Sequence, residues 1–250
     1  MNTKHEFALY NTDLNKILSS TKIGGSFLMQ DSALITRIVS VLRLQPEESF
    51  IFFDAKIHAT CTLEVIGKKS ITCTLVAQQQ NVPLAPAIHF VLPVLKRDDL
   101  ETALYSLVEL GANSIQLVIT EKIQRAWASD KEFERAQRIM IAAAEQSKNF
   151  ALPELREPVS LNTYFTKIPL GATKIFFDVD GEHALSVLNK IKTEGPRELF
   201  LIVGPEADLT SQEKELLKKH NFIFCQLTPT ILRAAQAVAL GLGMFRSTLR

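Results

Sequence analysis

Cysteine is scarce: Cys61, Cys73 and Cys225 are the only three in 250 residues, and no C-x-x-C pair occurs. An odd count without that pair excludes a disulfide framework and a zinc ribbon. Each cysteine sits among apolar or β-branched neighbours (ATCTLEV, ITCTLV, FIFCQL) and reads as a small buried hydrophobe. The histidines, His5, His58, His89, His183 and His220, show no ligand-like pair spacing, so no metal site is expected. Long apolar runs are missing. The N-terminal stretch MNTKHEFALYNTDLNKILSS has no signal-peptide core. The longest run, AVALGLGMF, is too short to span a bilayer. These absences point to a cytoplasmic, reduced protein with no membrane partner. An excess of one charge is missing too: 28 Lys+Arg face 27 Asp+Glu, for a formal net charge of +1. That balance holds on both sides of residue 74 and excludes a non-specific polyanion binder. No G-x-G-x-x-G, P-loop or G-x-S-x-G occurs.

What is present is an ordinary globular composition, 46% hydrophobic and 22% charged, which is not that of a disordered chain. The length allows one large domain or two smaller ones. Two are expected, over residues 1–75 and 76–250. In the first, SFIFFDA, ATCTLEVI and SITCTLVAQ read as short strands parted by turn signals such as Gly67-Lys68-Lys69. SALITRIVSVLRL before them has a helical period. Together they suggest a small β-barrel-like domain with one helix. NVPLAPA, with Pro83 and Pro86, reads as a linker.

From Ile88 strands alternate with helices. IHFVLPVL, SIQLVIT, TKIFFDVDG, ELFLIVGPE and FIFCQLT are strand-like. The helices are DDLETALYSLVELG closed by Gly111, DKEFERAQRIMIAAAEQSKNF, EHALSVLNKIKTEG capped by Gly195, SQEKELLKKHN with Ser211 as N-cap, and PTILRAAQAVALGLGMF with Pro229 near its first turn. That alternation predicts an α/β domain with a mostly parallel sheet.

Three stretches bear chemistry. LFLIVGPE runs an apolar strand into Gly204-Pro205-Glu206, and ligands of open α/β sheets bind at the carboxyl ends of strands. Gly204 would let a ligand approach the backbone; an ordinary strand-to-helix loop is the alternative. LTPTILR places Arg233 about one turn inside the last helix. It is either a cation aimed at the same pocket or a solvated helix residue. Glu145-Gln146-Ser147 follows the small face Ala142–Ala144, which would suit a dimer contact or close packing within the chain. Asp178, Asp180 and Gly181 follow a strand and would line a pocket or form a plain turn.

Taken in order, five segments resemble the RsmE family of 16S rRNA uridine-N3 methyltransferases, of the SPOUT (trefoil-knot) class. RIVSVLRL is similar to the family's H-L-x-x-V-L-R-L, with Arg37 in place of histidine. LPVLKRDDLETALYSLVELGANSIQLVITEK is similar to its K-x-x-x-x-E…ELG-V-x-x-I…E-R segment. AAAEQS resembles E-A-x-E-Q-S, LFLIVGPE the I-G-P-E-G-G strand and loop, and LTPTILRAAQA the L-G-x-x-I-L-R-x-E-T-A segment. The resemblance spans nearly the whole chain.

It implies an N-terminal PUA-like β-barrel that docks RNA and a C-terminal α/β domain with a trefoil knot, an exception to unknotted topology. It implies S-adenosylmethionine as cofactor, held by Val203, Gly204, Pro205 and Glu206 in one loop and by Leu227, Thr228, Ile231 and Leu232 in another. Arg233 would be the catalytic cation, and Arg37, Arg43 and Lys122 would contact RNA. The implied partners are 16S rRNA or the small ribosomal subunit and a second copy of the chain in a homodimer. The chain departs from the family pattern at Ala207-Asp208 (a glycine pair), Thr228 (glycine), Ala235-Gln236 (Glu-Thr), Asn149 (arginine) and Lys122 (arginine). Those departures keep two further readings in view: a catalytically weakened RNA- or ribosome-binding paralogue with the same fold, and a SPOUT methyltransferase with a changed RNA target.

Overall fold

The computed structural model describes residues 6–127 and 130–249. His5 lies outside the described residues. The chain folds as two compact units, one of Met1–Val82 with Ala144–Ala151, the other of Pro83–Ala143 with Leu152–Arg250.

The first unit is built on a five-stranded sheet. Strand β1 (Ala8–Tyr10) is followed by helix α1 (Leu14–Leu18), β2 (Ser26–Met29) and helix α2 (Ser32–Ile35), which runs into a π-helical turn at Thr36–Val41. Strands β3 (Ser49–Phe53), β4 (Ile57–Ile66) and β5 (Ile71–Gln80) complete it, in the order β1-β3-β4-β5-β2. The strong alternation of β4 and β5 sets their faces. Ala59, Cys61, Leu63, Ile71, Cys73 and Leu75 point inward and are buried, while Thr60, Thr62, Thr72 and Thr74 face outward. Phe50 and Phe52 close the core edge to face at 4.8 Å. Each such ring contributes roughly 2–3 kcal/mol by leaving water. The helical period expected over SALITRIVSVLRL is present, with Asp31 as N-cap accepting the Ala33 and Leu34 N–H groups. Helix α1 and the π-turn are not legible in the sequence pattern.

The second unit holds a six-stranded sheet in which every pairing is parallel, ordered β11-β9-β10-β6-β7-β8. Its elements are β6 (Ala87–Pro93), α3 (Arg97–Glu109), β7 (Ser114–Ile119), α4 (Asp130–Ser147), β8 (Glu154–Ser160), α5 (Leu161–Phe165), β9 (Thr173–His183), α6 (Ala184–Glu194), β10 (Glu198–Val203), α7 (Ser211–Lys219), β11 (Ile223–Gln226) and α8 (Ala234–Thr248). The alternation expected from Ile88 onward is realised. The central strand β10 is buried throughout Leu199–Val203, which is why it reads as a continuous apolar run.

Three local expectations are corrected. The N-cap of α7 is Thr210, not Ser211, because Thr210 and Glu213 form a reciprocal capping box. Strand β9 runs through Asp178–Gly181, as the strand reading of TKIFFDVDG has it, so the plain-turn alternative for DVDG falls. Gly181 is required there because an added Cβ would stand 2.4 Å from the Cys225 backbone nitrogen. Helix α8 starts at Ala234, and Arg233 is its N-cap with φ −63° and ψ 151° rather than a residue one turn inside. Thr228 Oγ1 donates to the Thr230 carbonyl at 2.7 Å, a local turn that competes with helix and keeps Pro229–Leu232 out of it. Strand β8 and helix α5 are additions to the expected pattern, since ELREPVS contains a proline and few apolar residues.

Candidate active site

The middle of β9 (Phe177–Val179), the loops leaving β6, β10 and β11 and the start of α8 enclose a cavity of about 830 Å³ on the carboxyl side of the parallel sheet. That is the place and the size expected of a ligand site in an open α/β sheet, where pockets run roughly 300–1,000 Å³. Val203, Gly204, Pro205, Glu206, Leu227, Thr228, Ile231, Leu232 and Arg233 all line it. So do Lys96, Asp99, Phe177, Asp178, Asp208 and Ala237, which the motifs did not all point to. Asp178 is on the wall; Asp180 is exposed and Gly181 packs on Cys225.

Each wall has a local cause. The loop after β10 curls back on itself, with the Asp208 N–H donating to the Pro205 carbonyl at 2.9 Å. Glu206 Oε1 accepts the Lys96 N–H at 2.8 Å, so this carboxylate caps α3 from another loop and pins 204–209 to the end of β6. Lys122 Nζ donates to the carbonyls of Ala207 and Leu209, both at 3.3 Å. Next to it, the Glu121 N–H donates to Glu213 Oε1 at 2.9 Å. The β7 and β10 loops are thus stitched together by Lys122 and the buried Glu213. On the far wall, Ile231 is 85% exposed, an apolar side chain turned to the cavity rather than to a core. Gln236 Oε1 accepts the Arg233 N–H at 3.3 Å and so supports the entry to α8. Gly241 on α8 lets Phe177 close the floor: a Cβ there would stand 2.4 Å from the ring.

A family model described as an RNA methyltransferase domain matches residues 82–246, two-thirds of the chain and the whole of this cavity's lining. The chain belongs to the RNA methyltransferase family. A second model, an RNA methyltransferase PUA domain, matches residues 38–76. Among curated relatives, the ribosomal RNA small subunit methyltransferase E of Synechocystis is 27% identical over 84% of this chain and 69% of its own. The protein of that name from Aquifex aeolicus is 26% identical over 79% and 85%. Among solved structures, ribosomal RNA small subunit methyltransferase E from Neisseria gonorrhoeae, bound to S-adenosyl methionine, superposes with a TM-score of 0.81. It is 24% identical and covers 97% of this chain and 98% of its own. A putative methyltransferase from Legionella pneumophila, in complex with bound SAM, gives a TM-score of 0.80 at 22% identity, over 97% and 98%. These two likenesses establish the fold, a PUA-like N-terminal unit followed by an α/β parallel-sheet unit.

In this member of the RNA methyltransferase family the three expected RNA contacts fare differently. Arg37 forms a two-point ion pair with Glu145. Lys122 spends its ammonium on the Ala207 and Leu209 carbonyls. Arg43 is exposed and adopts φ 55°, the left-handed region that few residues other than glycine enter. All three cysteines are buried. Loss of solvation pushes the Cys73 and Cys225 thiols up to about 12 and Cys61 upward as well, so none is a thiolate. Ala143 and Ala144 on α4 are buried. Among the described residues no three metal-ligating side chains gather, and no helix is long and apolar enough to cross a membrane.

Proposed function

We propose that the chain methylates N3 of a uridine in small-subunit (16S) rRNA, with S-adenosylmethionine as methyl donor. One observation carries the reading: the two loops matched to the family's motifs, 203–206 and 227–232, close on one cavity at the sheet's carboxyl edge, with Arg233 beside it.

The lining fits that donor. Phe177, Val203, Leu227, Leu232 and Ala237 offer an apolar bed for a purine and its alkyl arm, while Asp99, Glu206 and Asp208 face a cation with carboxylates. A Cβ at Gly204 would stand 3.1 Å from Asp208 Oδ1, so glycine there lets the β10 loop fold closely on itself. Bound there, S-adenosylmethionine would supply an already activated methyl group. Val203–Glu206 and Leu227, Thr228, Ile231 and Leu232 would hold it, and the enzyme's main task is then to align nucleophile and methyl. Uracil N3 must lose its proton before it attacks. Arg233, anchored at the mouth of α8, would stabilise the negative ring that results. The target base must be unpaired or flipped, because N3 lies on its pairing edge.

The PUA-like unit, which runs through β5 to Val82 rather than ending at residue 75, would dock RNA, with Arg43 as the freest of the three cations, and the α/β unit would carry the knotted catalytic fold. A homodimer in the cytoplasm is the working assembly under this reading. Calorimetry with S-adenosylmethionine tests the cofactor: no binding at millimolar concentration overturns it. Mass spectrometry of 16S rRNA from a deletion strain tests the reaction, and a methylated uridine restored by this chain is the expected result.

A second reading, a weakened RNA-binding paralogue, has its own support. Arg37 and Lys122 are both engaged within the protein, which leaves fewer cations for phosphate. It predicts cofactor binding without a restored uridine. A modification restored at another nucleotide would instead mark a changed target.

A further inference from the structure

The β10 loop contains a backbone position that glycine would fill by default. Asp208 has φ 59°, in the left-handed region. Aspartate is one of the few other residues that enter it, because its short carboxylate bonds locally. Here Oδ1 accepts the N–H of Leu209 at 2.7 Å. Oδ2 meets Lys214 Nζ at 2.8 Å. The same ammonium meets Asp178 Oδ2 at 2.7 Å and lies 5.8 Å from the centroid of the Phe176 ring. Asp178 lies at the middle of β9, just past the stretch that pairs with β10, with its side chain 3% exposed, and its other oxygen accepts the Asp180 N–H at 3.0 Å. Burial alone would lower the pKa of Lys214, but its hydrogen bonds to Asp178 and Asp208 outweigh burial and raise it. The ammonium is therefore charged at neutral pH and joins two walls of one cavity, the middle of β9 and the β10 loop.

We propose that Lys214 is a positioning residue that straps loop 204–209, through Asp208, to the buried Asp178 and so holds the loop in its cofactor-binding shape. The inference rests on reading the cavity as the S-adenosylmethionine site. Its physical basis is preorganisation. A loop already ordered by an ion pair loses less freedom when a ligand arrives. Lys214 itself reaches no ligand in this scheme, and its effect falls on affinity rather than on the chemical step.

Lys214→Met isolates the strap, because it leaves every residue of the cavity lining in place. Asp208→Asn tests the same pair from the loop side: asparagine tolerates the left-handed conformation and keeps the Oδ1 acceptor, but it also takes one carboxylate from the cavity wall. The expected result is a Kd for S-adenosylmethionine raised about three- to tenfold. Amide exchange across 205–209 should quicken and the thermal midpoint stay nearly unchanged, since the Asp208 side chain is 57% exposed. Lys214→Met should do more, and Lys214→Arg should recover most of the affinity because a guanidinium still spans two carboxylates. In methyl transfer KM for the donor should rise with kcat kept. If Lys214→Met fails to fold with Asp178 stranded, the double variant Asp178→Asn/Lys214→Met removes that charge and takes its place. Wild-type Kd and wild-type exchange at 205–209 in folded Asp208→Asn and Lys214→Met proteins would overturn the strap. A wild-type protein that binds no S-adenosylmethionine, with exchange still quickened in Asp208→Asn, would overturn the cofactor assignment and uphold the strap.

Discussion

Arg37 and Glu145, 108 residues apart, meet through two parallel hydrogen bonds, Nη1–Oε1 at 3.0 Å and Nη2–Oε2 at 2.7 Å. Glu145 Oε1 also accepts the Tyr10 N–H at 2.9 Å. The fork geometry is the strong form of an ion pair, and the Glu145 carboxylate holds the Arg37 guanidinium above its usual pKa through that hydrogen bond. Arg37 is 43% exposed and Glu145 only 13%, so solvent screens part of the gain. Glu145→Ala should cost about 1–2 kcal/mol in urea unfolding, because a backbone N–H loses its partner too. Arg37→Lys should cost about 1 kcal/mol or less, losing the fork but keeping the charge. Equal, negligible effects from both variants would show that the pair is idle.

Gly241 and Gly243 lie close together on α8 and should answer alanine in opposite ways. A Cβ at Gly241 would stand 2.4 Å from Phe177 Cε2, a ring on the cavity floor, whereas at Gly243 it would meet only Leu110 methyls at 3.9 Å. Gly241→Ala should destabilise by about 1–3 kcal/mol through overpacking and should weaken S-adenosylmethionine binding as Phe177 shifts. Gly243→Ala should gain up to about 1 kcal/mol from helix propensity. Paired thermal melts and calorimetry read both, and a neutral Gly241→Ala would mean the ring has room to turn.

Much of the fold is legible in the sequence because period decides it. The run Leu199–Val203, short and stopped by Gly204-Pro205, reads as a buried strand, and the alternation over Ile71–Leu75 as a one-faced one. Gly111 and Gly195 mark helix ends through their positive φ, 75° and 62°. The cavity loops are found by matching motifs, not by period. What escapes is contact at long range. Nothing local in Lys214 says that two carboxylates await it, one six residues back and one on strand β9. Likewise Arg37 and Lys122, plausible phosphate ligands by type, find partners within the fold. Arg233 reads a turn too far inside its helix because ILRAAQA is helical by propensity, while the Thr228–Thr230 hydrogen bond overrides it.

His89 should make stability fall on mild acidification. Its Nδ1 is 2.7 Å from Ser114 Oγ, its Nε2 is 3.1 Å from Glu198 Oε1, and its ring stacks on Phe200. Burial lowers its pKa below the ordinary 6.5, and the nearby Glu198 carboxylate only partly restores it. The folded state thus prefers the neutral ring. Its contribution is complete above pH 6.5 and is lost as the pH falls through the depressed folded value. Urea unfolding from pH 7.5 to 5 should show this loss, and His89→Gln should flatten that part of the curve. An imidazole titrating above 6.5 by NMR in the folded protein would reverse the sign.

Lys122 decides between two jobs. As an RNA contact, its removal would reduce the salt dependence of RNA binding by about one phosphate's worth, a slope change of roughly 0.7–0.9. As the brace of the β10 loop, its removal would free the Ala207 and Leu209 carbonyls and loosen the cavity wall that Glu206 and Asp208 share. The geometry favours the brace, since both hydrogen bonds are made within the protein. Lys122→Met should therefore raise the Kd for S-adenosylmethionine about three- to tenfold and leave the salt slope of RNA binding unchanged. Arg43→Gly should do the reverse: glycine relieves the left-handed backbone at φ 55°, so stability holds or rises, while one exposed cation is lost and the salt slope drops. Filter binding at several salt concentrations, run beside calorimetry on the two variants, separates these outcomes. A Lys122→Met protein with wild-type cofactor affinity and a shallower slope would return the residue to the RNA face.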